Sequence, residues 1–408
     1  MNGFVADYLE HIIPVSFILK MGEEEQKIGK ENPKFTVDLK KDLNKKEMLT
    51  STSLSLGEAY MRGDIEVDHD LYEVLNCFMG QMDKFTRDKS ALKKLLITSR
   101  SKRNQEKEVQ SHYDIGNDFY EMWLDKTMSY SCGYFKEDGE AGTCEPDLQL
   151  EFKKPPYQAG EPSLLYHAQV NKVDHILDKL CLEPGMSLLD IGCGWGFLLK
   201  RAAKEYGVHG VGITLSEEQY RKFSQDIKEE GLSDLLEVRR MDYRDLKKSG
   251  LEFDRIVSVG MMEHVGRGSY GEFMENVDAV LKPRGLCLLH FISALEEHEG
   301  DAWIKKYIFP GGVIPSLREI INILPDYHFY TLDVESLRRH YNKTLLCWRE
   351  NFNKCRERIE EEKGEEFARM WELYLVSCAA AFQNGVVDIH QILVSKGVNN
   401  ELPLNRVV

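Results

Sequence analysis

The chain lacks the marks of several protein classes. Its nine cysteines, at positions 77, 132, 144, 181, 193, 287, 347, 355 and 378, include no Cys-x-x-Cys pair. An odd, scattered set is no disulfide framework, so a reducing, cytoplasmic setting is expected, and no metal. The start lacks a secretory or membrane-spanning pattern. Its one apolar run, His11-Ile-Ile-Pro-Val-Ser-Phe-Ile-Leu19, has no basic segment before it and is broken by Pro14. Positive charge is not in excess. Against 68 Asp and Glu stand 53 Lys and Arg, a net charge of −15, which argues against general nucleic-acid binding. No internal repeat is present. What remains is an ordinary globular composition, 42% hydrophobic and 30% charged, over 408 residues, enough for two or three domains.

One stretch reverses the overall charge. Between Lys89 and Lys107 lie Lys89, Lys93, Lys94, Arg100, Lys102, Arg103 and Lys107, with Glu106 opposing. This is either a solvated linker or a contact with anionic lipid headgroups, where each basic residue contributes about 1 kcal/mol. Before it, Leu56–Ile65 and Leu71–Met79 have helical apolar spacing. Residues 1–105 are therefore expected to form a smaller, mainly helical N-terminal domain with a basic linker. Residues 106–408 are expected to form the second domain. Within it, 137–162 is rich in Gly, Pro and acids and reads as an irregular insertion.

Ser187-Leu-Leu-Asp-Ile-Gly-Cys-Gly-Trp-Gly196 reads as a buried strand entering a glycine turn, with an amphipathic helix after it. Gly192, Gly194 and Gly196 allow a sharp turn and a close ligand approach. Strand patterns near 186–191, 208–213, 235–240, 253–259 and 285–292 alternate with helices, including 216–230 and 269–282. That alternation predicts an α/β, doubly wound, parallel sheet with its ligand at the carboxyl end of the first strand. From 333 the pattern reads helical, over 334–339, 341–362 and 365–382. The Gly-x-Gly-x-Gly spacing, with Asp190 before it, resembles the first motif of S-adenosylmethionine (SAM)-dependent methyltransferases, although a dinucleotide site remains the alternative.

In a SAM site, Asp190 would meet the cofactor's ammonium, or else cap the helix. The second strand ends in Thr214-Leu215-Ser216 where most methyltransferases place an acid for the ribose. Gln219, one turn on, is a candidate to supply that contact. Asp242-Tyr243 follows the third strand, where an acid for the adenine amino group is expected; Asp242 as a turn cap is the alternative.

Eight segments together resemble the cyclopropane-fatty-acyl-phospholipid synthases, related to the mycolic acid cyclopropane synthases. They are Gln110–Tyr120, Tyr130–Phe135, Leu188–Gly196, Gly212–Ser216, Met262–Gly266, Leu289–Ile292, Tyr307–Gly312 and Tyr341–Leu345, with Gly57–Glu66 in the N-terminal part. The resemblance implies a class I SAM-dependent methyltransferase, Rossmann-like in fold. It implies that Tyr130, Ser131, Asp190, Gly192, Gly194, Gly196, Thr214, Leu215, Ser216, Gln219, Asp242 and Tyr243 bind SAM. It places a bound bicarbonate on Cys132, Glu263, His290 and Tyr341, near the Ile292 backbone. It also implies a homodimer working at the inner membrane face on a phospholipid bilayer with unsaturated acyl chains; the basic stretch 89–107 is what points to an anionic surface.

The chemistry suits such a site. Methyl transfer to a cis double bond leaves a carbocation, and ring closure needs a base that does not trap it covalently. His290 and Tyr341 can donate to an anion and Glu263 can accept its O–H. Aromatic faces can shield the cation; Tyr134, Phe135, Tyr307, Phe309 and Tyr330 are candidates, with core packing as the alternative for each. Cys378, aligned with a proposed family nucleophile, has no flanking His or acid and reads as packing. Two other outcomes stay open: a related methyltransferase that gives a methyl-branched or methylene chain or methylates a small amine, and a lipid-binding scaffold.

Overall fold

A computed structural model describes residues 5, 6, 9, 15–80, 116–136 and 164–405. The basic stretch 89–107, the irregular segment 137–162 and residues 110–115 of the segment Gln110–Tyr120 lie outside the described residues.

The N-terminal unit is mixed rather than mainly helical. Strands β1 (Phe17–Met21), β2 (Glu24–Ile28), β3 (Thr36–Leu39) and β4 (Ile65–Val67) form one sheet in the order β2-β1-β3-β4. Helices Lys45–Thr50, Thr52–Met61 and Leu71–Met79 accompany it. The early apolar run supplies the inward residues of β1, Phe17 and Leu19. These strands escaped the pattern because each is short. The edge strand β2 reads Glu-Glu-Gln-Lys-Ile and buries only Ile28, and polar edge strands show little alternation.

The segment Gly57–Glu66 seats this unit on the rest of the chain. Gly57 admits the Trp303 ring, which a Cβ would overlap. Trp303 Nε1 donates to Met61 Sδ at 3.2 Å, and Tyr307 and Lys306 both donate to Glu58 at 2.8 and 2.5 Å. Arg369 lies 4.2 Å from the centre of the Tyr60 ring. The same guanidinium donates to the carbonyls of Tyr60 and Ile65 and pairs with Glu66.

The larger part is built on seven strands: β5 (Ser187–Ile191), β6 (His209–Thr214), β7 (Leu236–Arg240), β8 (Phe253–Val259), β9 (Leu281–Ser293), β10 (Phe329–Ser336) and β11 (Asp388–Lys396). Their order is β10-β11-β9-β8-β5-β6-β7. The first five in sequence run parallel, as expected. The last two do not: β11 is antiparallel to both β9 and β10, so the sheet is mixed. Residues 334–336 are thus strand, not helix. Their partner strand begins at Asp388, so the pairing is invisible to a local pattern. The helix expected over 341–362 is two, Arg338–Lys354 and Arg356–Lys363, whereas 365–382 is one helix, Glu365–Gln383.

Strand order reverses between β5 and β8, where doubly wound sheets bind ligands. Over that end lies a buried aromatic cluster with Tyr120, Trp123, Trp348 and Trp371 at its centre. Helices 117–123, 338–354 and 365–383 supply it. Among the described residues no helix is long and apolar enough to cross a membrane.

Candidate active site

The glycine turn is built by the end of β5. Gly192, Gly194 and Gly196 all take positive φ, 85°, 54° and 82°. Their tasks differ. A Cβ on Gly196 would overlap the Phe223 ring, so this glycine serves packing, whereas a Cβ on Gly194 would meet nothing within 4 Å. Gly194 therefore leaves its backbone open to the cleft it lines. That cleft is lined by the turn, by Tyr130 and Ser131, and by Thr214, Leu215, Gln219 and Tyr243.

Asp190 also lines the cleft. The following helix starts at Gly196 without a side-chain cap, so Asp190 does not cap it. Its Oδ1 is buried without a hydrogen-bond partner among the described residues. Burial lifts the carboxyl to about 7, and Lys172 pulls against that lift. An orphaned carboxylate oxygen beside an open glycine backbone fits the ammonium of a methionine-type ligand. Opposite it, Thr214 Oγ1 donates to Gln219 Oε1 at 2.8 Å. Ser216 caps the helix Glu217–Glu229 through the Gln219 N–H and does not line the cleft. Asp242 caps the turn Tyr243–Lys248 and pairs with Arg244 at 2.6 Å, and the cleft wall there is Met241 and Tyr243.

The four other candidates, Cys132, Glu263, His290 and Tyr341, do not line that cleft. Cys132 is fully buried, its Sγ 3.8 Å from the Leu337 carbonyl. That same carbonyl accepts the Tyr341 N–H. Tyr341, in the first turn of helix 338–354, has its hydroxyl held far above the usual phenol range, chiefly by burial. Tyr374, Cys132 and Glu263 add to that effect. His290 sits on β9, beside Val259 of β8 and Gln391 of β11. Burial pushes the imidazole down to about 3, so it is neutral. Gln391 Nε2 lies 3.1 Å from His290 Nδ1. An amide nitrogen can only donate, so Nδ1 accepts and the proton sits on Nε2. His290 Nε2 and Glu263 Oε2 are both buried without partners among the described residues. Burial lifts the Glu263 carboxyl to about 7, and the Ile292 N–H pulls it back. A donor and an acceptor, both orphaned, suit a small oxyanion carrying one proton.

Sequence reasoning missed Lys172, His264 and Gln391. The helix Leu164–Lys179 buries Gln169, Lys172, His175 and Lys179. Their spacing of three, three and four puts them on one face, a polar stripe that was legible but reads like a solvated one. Gln169 Nε2 holds the Ser131 carbonyl at 2.8 Å and Lys172 Nζ holds Ser131 Oγ at 3.1 Å. His264, also on the cleft wall, is pushed down to about 4 by burial.

Of the aromatic candidates, Phe309 packs against His264 and Tyr374. Tyr134 is stacked between His175 and His340. Phe135 lies under the Lys343 ammonium and Tyr307 serves the N-terminal contact. Tyr330 is exposed. The rings around Tyr130 are Tyr120, Trp123 and Trp348, and its hydroxyl meets that of Tyr374 at 2.6 Å. Cys378 packs, half-buried, against the aromatic core, and burial pushes its thiol up to about 12.

A family model described as mycolic acid cyclopropane synthetase matches residues 100–392. The chain belongs to this family. It is a SAM-dependent methyltransferase by family and by fold. A second model, of a domain of unknown function, matches residues 8–90. The cyclopropane-fatty-acyl-phospholipid synthase of Escherichia coli K12 is 37% identical over 367 residues, covering 88% of each chain. The tuberculostearic acid methyltransferase UfaA1 of Mycobacterium tuberculosis is 34% identical over 352 residues, 83% of this chain and 78% of that protein. Among solved structures, the mycolic acid cyclopropane synthase CmaA1 bound to S-adenosylhomocysteine (SAH) is 31% identical, with a TM-score of 0.61. That likeness covers 71% of this chain and 98% of CmaA1.

Proposed function

We propose that this synthetase-family enzyme converts cis double bonds of unsaturated phospholipid acyl chains into cyclopropane rings. When bound, SAM supplies an electrophilic methyl and bicarbonate supplies the base that takes one proton from it as the ring closes. The observation that carries the reading is the orphaned pair, Glu263 Oε2 and His290 Nε2. His290 and Tyr341 would donate to the anion's charged oxygens, and Glu263, once ionised, would accept its O–H. Cys132 would wall the anion on the side of Leu337. The glycine turn and Asp190 would hold the methionine part of SAM. Tyr130 and the rings around it would exclude water and face the developing cation without attacking it.

The 34% identity to a tuberculostearic acid methyltransferase favours a second outcome, a methylene chain formed when the same cation loses a proton without closing the ring. Mass spectrometry of unsaturated phosphatidylglycerol vesicles incubated with protein and SAM tests both. Cyclopropanation adds one CH2 per chain and removes the double bond. A methylene product adds the same mass and keeps a double bond.

Docking belongs to the same proposal: a homodimer at the inner face of the membrane, drawn to anionic lipid by the basic residues of 89–107. Attraction there acts over about 10 Å at moderate salt, so the distant negative charge does not cancel it.

A further inference from the structure

Lys172 is 4% exposed and lines the same cleft wall as Asp190, Gly192 and Gly194. A buried ammonium is costly unless paired. Yet among the described residues its hydrogen-bond partner is the Ser131 hydroxyl at 3.1 Å, and it makes no ion pair within 4 Å. Asp125 and Asp190 act on it only at longer range, and Asp125 is already engaged by the Thr127 N–H and hydroxyl.

A lysine this buried, facing a cleft and anchored by one neutral hydroxyl, implies an anion brought in by the ligand. The methionine part of SAM carries two charges on one carbon, an ammonium and a carboxylate. Asp190 accounts for the first. We infer that Lys172, with Ser131 Oγ beside it, binds the α-carboxylate of SAM and so completes a two-point charge clamp on the amino-acid end. The inference rests on the SAM-site reading and adds to it a residue and the group it holds. Burial pushes Lys172 down to about 8, with Asp125, Cys132 and Asp190 pulling upward, so most of it is charged at neutral pH. The position also explains Gln169: by holding the Ser131 carbonyl, it fixes the hydroxyl that Lys172 shares.

The test is calorimetric and needs no turnover. The full-length protein is titrated with SAH and with its decarboxylated analogue. A charge-assisted contact predicts that the wild type prefers SAH by about 30-fold. Lys172→Met should lose most of that preference by weakening SAH alone, with the analogue's affinity changed less than about threefold. Lys172→Arg should retain part of it. Equal wild-type affinity for the two compounds overturns the inference whether or not any variant folds. So does a Lys172→Met protein, with an unchanged melting curve, that weakens both compounds alike, because Lys172 would then act on the site as a whole. Binding of neither compound by the wild type would overturn the SAM-site reading itself, and this inference with it.

Discussion

The Ile292 N–H donates to Glu263 Oε1 at 2.6 Å and leaves Oε2 of the same carboxylate buried and unpaired among the described residues. One backbone bond thus fixes the side chain while its second oxygen stays available to a ligand. Burial lifts this carboxyl from 4.5 to about 7. Between those values the folded state holds a proton that the unfolded state has lost. Stability from this group is therefore full below about pH 4.5 and is lost as pH rises through about 7. Relative to Glu263→Gln, wild type should lose on the order of 3 kcal/mol between pH 4.5 and 8 in chemical denaturation. In the proposed mechanism turnover needs the ionised form as acceptor, so it should rise with pH through about 7. Glu263→Gln should cut kcat by about 100-fold or more with SAH affinity intact. A stability difference that is flat across this range would remove the assignment.

Gly194 and Gly196 share a backbone conformation but not a task. Gly194→Ala should cost about 1–2 kcal/mol through its positive φ and weaken SAH binding by at least about tenfold, because its Cβ enters the cleft. Gly196→Ala should cost about 3 kcal/mol or more, because its Cβ overlaps the Phe223 ring. Thermal melts and SAH titrations on both variants would expose an error if the two behaved alike.

Gln391 selects the tautomer of His290. Gln391→Leu should let the imidazole proton move to Nδ1 and lower kcat about tenfold, with SAH affinity unchanged. Nitrogen NMR of the labelled wild-type protein should show His290 protonated on Nε2. An Nδ1–H signal there would contradict the donor role.

Gly57→Val should separate the N-terminal unit from Trp303 without touching the SAM cleft. Overpacking of this kind costs about 1–3 kcal/mol. Limited proteolysis should release the N-terminal unit earlier than in wild type, and SAH affinity should hold. Unaltered proteolysis would mean that the Gly57 contact does not hold the two parts together.

Replacing Lys93, Lys94, Arg100, Lys102 and Arg103 by Gln should weaken sedimentation with anionic vesicles and lower activity on them. Wild-type binding should fall as salt rises. Equal sedimentation of the two proteins at low salt would make the stretch a plain linker.

The glycine turn was legible in the sequence because the chain that makes it is continuous: strand, turn and helix are neighbours, and their spacing carries the geometry. The parallel strands were legible for the same reason, each followed by its own helix. Cys132, Glu263, His290 and Tyr341 were named only through resemblance, since they lie on separate elements and no local spacing joins them. Three features were decided by tertiary structure alone. β10 and β11 depend on each other across most of the C-terminal helices, so neither shows a pattern by itself. Whether Asp242 reaches the cleft or turns back to Arg244 depends on how the turn folds. Lys172 and Gln391 look like surface residues in sequence, because burial is a property of what packs against a side chain. Sequence by itself determined the kind of site and where on the sheet it lies. Packing decided which charges are buried there without partners, and that burial shifts the carboxyls of Asp190 and Glu263 toward neutral pH.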